Sequence, residues 1–236
     1  QEENLLLRQR NKLLQQVSAE QDEFLQMIAH DLKNPLTTIT LGTSFLQHRW
    51  RDLSLNDVMS KLSRMQESAA HMKEMIHRLL TTSSIESGKV DTVLEPIDIV
   101  QSVALLVHEY RSHAAEKGIV IHFDSFVSDT QTMSNQGMLQ EIVENLLSNA
   151  IKYNKFQGFI KVTLKDKILI IEDSGKGMSK DNLSNLFTRY KRFDKSVGGF
   201  GIGLNIVSLI AKEYDLKIDV ISKIDVGTRI KIRWQD

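Results

Sequence analysis

Between residues 58 and 79 the side chains Val58, Leu62, Met65, Ala69, Met72, Ile76 and Leu79 follow one another in alternating steps of four and three. A 3.5-residue period keeps these side chains on one side of a helix, where a helical partner must cover them. That partner lies upstream, because Phe24, Ile28, Leu32, Leu36, Ile39 and Leu46 fall on one face of a helix with 3.6 residues per turn. The stretch "HRWRDLSLND" interrupts the pattern at 48–57, so the two helices are predicted to form a hairpin. A single hairpin covers only one side of each stripe. Two hairpins closing into a dimeric four-helix bundle would cover both, the alternative being cover supplied by the rest of the same chain.

Glycine divides the chain. It is nearly absent up to Ser87, whereas six of the twelve glycines crowd into positions 175–203, and only Pro35 and Pro96 interrupt as prolines. The segment "ESGKVD", 86–91, is the expected boundary. Beyond it, a strand near Val93, a helix from Asp98 to Glu116 and the strand "GIVIHF" lead to the helix "LQEIVENLLSNAIKY". The strands "FIKVTL" and "KILIIED", a glycine-rich loop, the helix "GLNIVSLIAKEY" and the strands "KIDVIS" and "TRIKIRW" follow. This order predicts an α/β sandwich with helices on one sheet face, so the whole chain reads as multidomain, α followed by α+β. Residues 1–20 extend the first helix, and their leucines support two registers, Leu7–Leu14–Gln21–Ile28 or Leu6–Leu13–Glu20, as in a loosely specified coiled coil. The expected domains are 1–20, 21–88 and 89–236.

Thirty basic and thirty acidic residues cancel, so no whole-chain field draws the protein to nucleic acid or to an anionic membrane, and no nucleic-acid partner is expected. With no cysteine, disulfides and thiolate chemistry are excluded, in keeping with a cytoplasmic setting. No apolar run approaches the roughly 18 residues of a membrane helix. The sequence opens on Gln1 and is expected to be a fragment whose membrane attachment, if any, lies in a sensor region upstream.

Three stretches carry chemistry. In "EIVENLLSNAIKY", Asn145, Asn149, Lys152 and Tyr153 share a helix face, opposite Ile142, Leu146 and Ile151. Asparagine is an indifferent helix former, so its recurrence here needs a reason other than propensity. An amide oxygen can complete the coordination of a phosphate-bound Mg²⁺ and a lysine can neutralise phosphate, although a plain solvated face has the same pattern. In "IIEDSGKGM", Asp173 ends a strand and Gly175 and Gly177 follow; the carboxylate can accept from an exocyclic amine while the glycines admit a flat ring, although a simple turn reads alike. In "GGFGIGLNIV", Gly199, Gly201 and Gly203 precede a helix whose N–H groups suit polyphosphate.

Taken in order, "NLLSNAIKY", "DSGKGM", "LFTRYKRF", "GGFGIGL" and "GTRIKI" resemble the N box, first glycine box, F box, second glycine box and closing strand of the ATP-binding domain of sensor histidine kinases. That fold is shared with topoisomerase and heat-shock chaperone ATPases. The resemblance implies ATP and Mg²⁺ as cofactors, with Asn149 as metal ligand, Asn145 as its helper, Lys152 at phosphate and Tyr153 against adenine. It also implies Asp173 at the adenine amino group and Thr228 beside the nucleotide. Gly175, Gly177 and Met178 come from the first glycine box, and Gly199, Gly201, Gly203 and Leu204 from the second. Arg189 and Arg192 fall in the lid, in an F box that has Thr188 where glutamate is common and Tyr190 in place of phenylalanine.

Upstream, "HDLKNPL" resembles the histidine box of the same family. At 100° per residue from Ile28, His30 falls near about 200° and Asn34 near about 240°, away from the apolar stripe. The resemblance makes His30 the phosphoacceptor in a dimerisation and phosphotransfer domain, with 89–236 as the catalytic domain. Asp31 would hold the proton of the other ring nitrogen, and Asn34 would orient a water for phosphatase chemistry. Because the apolar phase continues from Ile28 to Ile39, one helix kinked at Pro35 is expected rather than a new helix capped by Asn34. The implied partners are a second copy of the chain and the receiver domain of a separate response regulator. A degenerate ATP-binding dimeric signalling module and an ATPase without phosphotransfer are the alternative readings.

Overall fold

The computed structural model describes residues 2–89, 93–187 and 202–234. They form two compact units that divide between His77 and Arg78.

The first unit is built on helix α1 (Glu2–Arg49), a short 3-10 turn at Trp50–Asp52 and the greater part of helix α2 (Leu55–Glu86). α1 continues through Pro35, which is buried, so this is one helix and not two abutting ones. Proline withholds the N–H that would bond the Asp31 carbonyl. Thr37 and Thr38 donate their hydroxyls to the carbonyls of Lys33 and Asn34 at 2.8 and 3.3 Å across the same turn. α2 starts in a reciprocal cap: the Asp57 N–H reaches Ser54 Oγ at 3.2 Å, while Asp57 Oδ2 accepts from the Ser54 N–H at 3.3 Å.

The helices meet through particular side chains. A Cβ on Gly42 would stand 2.7 Å from Met65 Sδ, so the missing side chain is what lets the thioether pack against α1. Lys61 Nζ lies 5.0 Å from the centre of the Phe45 ring. Of the residues expected on the stripes, Val58, Met65 and Met72 are partly covered, whereas Leu36, Leu62 and Ile76 stay 52%, 44% and 46% exposed. One hairpin therefore leaves an apolar stripe in water, as the heptad pattern requires when only one side has a partner.

In the second unit the remaining elements are β1 (Glu95–Asp98), α3 (Ile99–Ala115), β2 (Val120–Phe126), β3 (Gln131–Ser134), α4 (Gln136–Lys152), β4 (Phe159–Lys165) and β5 (Ile168–Asp173). A short α5 (Lys180–Ser184), α6 (Gly203–Glu213), β6 (Lys217–Lys223) and β7 (Gly227–Arg233) complete it. The main sheet has the order β2-β4-β5-β7-β6; β2 and β4 are parallel and the other pairs antiparallel. β1 and β3 make a separate antiparallel pair. The strand expected near Val93 is β1. Its partner "QTMS" is too short and too polar to show a strand period, and α5 is a single turn capped by Ser179, so neither was anticipated.

Register explains the covered face. Ser125, Leu164, Leu169, Ile232 and Ile218 stand side by side across the five strands, and next to them run Phe123, Val162, Ile171, Ile230 and Val220. Side chains alternate faces, so these rows share one side, where α3, α4 and α6 supply the buried Val103, Leu139, Ile142, Leu146, Ile206 and Ile210. The opposite face carries the pairs Arg229–Glu172 at 2.7 Å and Lys161–Asp124 at 3.2 Å. Arg78–Glu86, the end of α2, belongs to this unit, with Thr82 and Ile85 buried.

Leu164→Ala, in the centre of the covered face, should lower stability in urea titrations by about 2–5 kcal/mol. Ile221→Ala, on the open face, should change it by no more than about 0.5 kcal/mol. The opposite ranking would mean that the cover lies on the other side.

Candidate active site

One further row crosses the covered face: Ile121, Ile160, Asp173, Thr228, Ser222. It begins apolar and ends polar, at the edge of the sheet where β5 stops. Asp173 therefore projects on the same side as the core but beyond its apolar rows. Burial pushes its carboxyl up to about 6, the Gly175 and Thr228 N–H groups pull it back down, and neighbouring Glu172 raises it slightly. Those N–H groups donate to Oδ1 at 2.8 and 3.3 Å.

The loop after Asp173 is held on three sides. A Cβ at Gly175 would lie 2.4 Å from the Tyr153 carbonyl oxygen, and one at Gly177, where φ is +61°, only 1.9 Å from the Lys223 carbonyl oxygen. Lys176 donates its N–H to the Tyr153 carbonyl at 3.1 Å and accepts from the Asp225 N–H at 2.8 Å. Met178 donates its N–H to Ser222 Oγ at 2.9 Å, and Ser222 Oγ lies 2.8 Å from Thr228 Oγ1. Ser174 Oγ ties the other flank, accepting from the Phe159 N–H and donating to Asn154 Oδ1. Sequence reasoning missed Ser222, Ser174 and Asn154. The register that sets Ser222 opposite Thr228 was the available signal, but it follows only once β6 and β7 are paired.

α4 brings the second group. Asn135 caps its start, accepting from the Met138 N–H at 2.9 Å, and Lys117 Nζ donates to the Ile151 and Lys152 carbonyls at its end, each at 3.2 Å. Asn149, Lys152 and Tyr153 are half-buried. Lys152 and Lys176 place their ammonium groups 4.9 and 4.7 Å from the centre of the Tyr153 ring. Asn145 is only 3% exposed, so the expected polar face is not open along its full length. Its Nδ2 donates to the Glu141 carbonyl at 2.7 Å, and its Oδ1 accepts from Arg78 Nη1 at 2.9 Å. Gly203, at the start of α6, adjoins the pair: a Cβ there would lie 2.8 Å from Asn145 Oδ1 and 3.0 Å from Arg78 Nη1. Leu204 follows, half-buried. Arg78 is a neighbour that no sequence motif announced. Arg189, Arg192, Gly199 and Gly201, with Thr188 and Tyr190 of the F box, lie outside the described residues.

The donor set fits a metal carried in on phosphate. Among the described residues no group of three His, Cys, Asp or Glu could hold an ion by itself. The half-buried Asn149 amide oxygen can add one neutral ligand to a Mg²⁺ that keeps phosphate oxygens and water, whereas the expected second ligand, Asn145, is buried with its Oδ1 accepting from Arg78.

In the first unit His30 projects from α1 with its side chain 72% exposed, in agreement with its phase. Its Nδ1 lies 3.2 Å from Asp31 Oδ1, whose side chain is only 15% exposed. Nε2 is the ring nitrogen that Asp31 does not engage. Asn34 is exposed one turn further along.

The glycine loop provides a structural test. Gly177→Ala should destabilise the second unit by about 3 kcal/mol, because it adds a carbonyl clash to the left-handed backbone. Gly88→Ala, at φ +64° with nothing within 4 Å of the new Cβ, should cost only about 1 kcal/mol. Equal urea midpoints for the two variants would show that the Lys223 contact does not constrain the loop.

Comparison with known proteins gives two family matches in the same order. Residues 20–88 match the His Kinase A (phospho-acceptor) domain, and residues 134–236 match the histidine kinase-, DNA gyrase B-, and HSP90-like ATPase. Sensor histidine kinase YvrG of Bacillus subtilis is 25% identical over 97% of this chain, and heme sensor protein HssS of Staphylococcus saprophyticus 27% over 94%. The chain spans 41% and 48% of the lengths of these two relatives. Among solved structures, Acinetobacter baumannii histidine kinase AdeS has the same fold with a TM-score of 0.68 at 18% identity, covering 88% of this chain and 98% of that one. Histidine kinase ThkA, solved in complex with response regulator protein TrrA, has a TM-score of 0.62 at 17% identity, covering 95% of this chain and 62% of that one. A phospho-acceptor helical hairpin followed by an ATPase sheet of this type, matched by sensor kinases over nearly its whole length, makes the chain a member of the sensor histidine kinase family.

Proposed function

We propose that the chain is the cytoplasmic part of a sensor kinase that phosphorylates His30 from ATP and passes the phosphoryl group to an aspartate on the receiver domain of a separate response regulator. Residues 1–20 would act as a signalling linker, 21–88 as the dimerisation and phosphotransfer domain and 89–236 as the catalytic domain. The observation that carries this reading is the exposed imidazole of His30, with Nδ1 beside Asp31. Asp31 favours the tautomer with the proton on Nδ1 and so leaves the Nε2 lone pair as nucleophile. Nε2 would attack the γ-phosphorus in line. The N–P bond forms as the bond to the β–γ bridging oxygen breaks, ADP leaves with that electron pair, and Asp31 balances the positive charge on the ring.

Asp173 would accept from the adenine amino group, with Thr228 and the Gly175–Met178 loop lining the base site and Tyr153 against the ring. Lys152 would neutralise phosphate and Asn149 would hold the metal, assisted by Asn145. Bound Mg²⁺ would supply charge neutralisation on the phosphates. The lid arginines Arg189 and Arg192 and the glycines 199, 201 and 203 would complete the phosphate site. The exposed stripe of Leu36, Leu62 and Ile76 supports a homodimer, and exposed Asn34 supports a phosphatase activity toward the phosphorylated regulator. No helix among the described residues is long and apolar enough to cross a membrane.

Incubation with γ-labelled ATP should give an acid-labile, base-stable label on the protein that is lost in His30→Gln. Tight ATP binding without label would favour a degenerate module instead, and steady phosphate release without label an ATPase. The raised Asp173 carboxyl adds a pH signature. Accepting from an amine requires the charged form, so nucleotide affinity should be flat above about pH 6 and fall toward tenfold per unit below it. Calorimetry should find that this dependence disappears in Asp173→Asn.

A further inference from the structure

Ser222 has no part in the proposed reaction, yet it ends the row of the sheet that carries Asp173 and Thr228. Its hydroxyl has three neighbours. The Met178 N–H donates to Ser222 Oγ at 2.9 Å, the Gly227 carbonyl oxygen lies 3.1 Å away and Thr228 Oγ1 lies 2.8 Å away. These contacts join the two walls of the proposed base site, the loop after Asp173 and the start of β7. Gly227 presses the second wall against the first, since a Cβ there would collide with the Asp173 carbonyl oxygen.

Counting protons gives the polarity of this corner. A hydroxyl has one proton and two lone pairs, and a carbonyl oxygen can only accept. The Ser222 proton therefore goes to Gly227, and the Met178 N–H takes one Ser222 lone pair. All three contacts are hydrogen bonds at once when the second lone pair accepts from Thr228, whose only hydroxyl proton is then spent on Ser222. Thr228 Oγ1 keeps lone pairs alone. Asp173 is used in a similar way, because Oδ1 accepts from the Gly175 and Thr228 N–H groups while Oδ2 has no donor among the described residues. Asp173 and Thr228 are directly opposed across β5 and β7, which brings both side chains within reach of one polar group.

We infer that Ser222 sets the base specificity of the site: by taking the Thr228 proton it leaves two acceptors, Asp173 Oδ2 and Thr228 Oγ1, which suit the two N–H bonds of an exocyclic amine and repel a keto oxygen. This rests on the ATP reading above and narrows it to selection of a 6-amino over a 6-keto purine. Ser222 is a positioning residue that acts through the Thr228 hydroxyl. Without it that hydroxyl turns freely and can donate, so a keto oxygen gains a partner and an amine loses one.

The test is calorimetry with a non-hydrolysable ATP analogue and with its inosine counterpart, in which a keto oxygen replaces the amine. Both are measured in Mg²⁺ at about pH 8, where Asp173, raised to about 6, is charged. Wild type should prefer the adenine nucleotide, and Ser222→Ala should cut that preference by about tenfold. Ser222→Thr keeps a hydroxyl and should keep the preference. Ser222→Cys fills the same space with a weak hydrogen-bonding group, so it should behave as the alanine variant and guards against one that merely unfolds. In a Thr228→Val background Ser222→Ala should leave the preference unchanged. Loosening of the loop alone would weaken both nucleotides equally. An unaltered preference in Ser222→Ala and Ser222→Cys overturns the specificity role and leaves the ATP reading intact. Failure of wild type to bind the ATP analogue, or to prefer it to the inosine nucleotide, overturns both.

Discussion

The second unit depends on keeping one carboxyl at the border of an apolar face. The rows through Leu164 and Val162 demand cover, and α3, α4 and α6 supply it; the next row keeps the same direction but changes chemistry at Asp173. A carboxyl placed there is partly desolvated by its neighbours, which raises it to about 6, and it is kept usable by the N–H groups of Gly175 and Thr228. Everything near it follows from that placement. Gly227, Gly175 and Gly177 lack side chains because the carbonyls of Asp173, Tyr153 and Lys223 occupy the space a Cβ would need.

The first unit obeys a different constraint. A heptad stripe on each of two antiparallel helices has two sides, and one hairpin can satisfy only one of them. Met65 against Gly42 and Lys61 over Phe45 mark the satisfied side, while Leu36, Leu62 and Ile76 mark the other. His30 sits on neither, and its exposed imidazole keeps Nδ1 3.2 Å from Oδ1 of the half-buried Asp31.

Much of this was legible in the sequence because it is encoded by period. The helix pair, the strands of the main sheet and the exposure of His30 follow from spacings of 3.5, 3.6 and 2, which act locally and need no knowledge of partners. Proline was legible in part: Pro35 does not end α1, because the apolar phase on both sides outweighs one missing hydrogen bond. The four-residue β3 has no period to read. Ser222, Ser174 and Asn154 carry ordinary polar side chains whose importance arises only when the strand register sets them beside Thr228 and Phe159.

What the sequence determined by itself was the succession of elements, since helix and strand periods are written in residues close together along the chain. What only the tertiary structure decided was which of those residues are accessible and what they touch. Asn145 looks like part of an open polar face until a residue 67 positions earlier lands on its amide oxygen. That contact joins a heptad helix to an N-box helix across a long loop of chain, and no local preference of either segment specifies it. It exists because Thr82 and Ile85 are buried in the second unit and bring Arg78 with them.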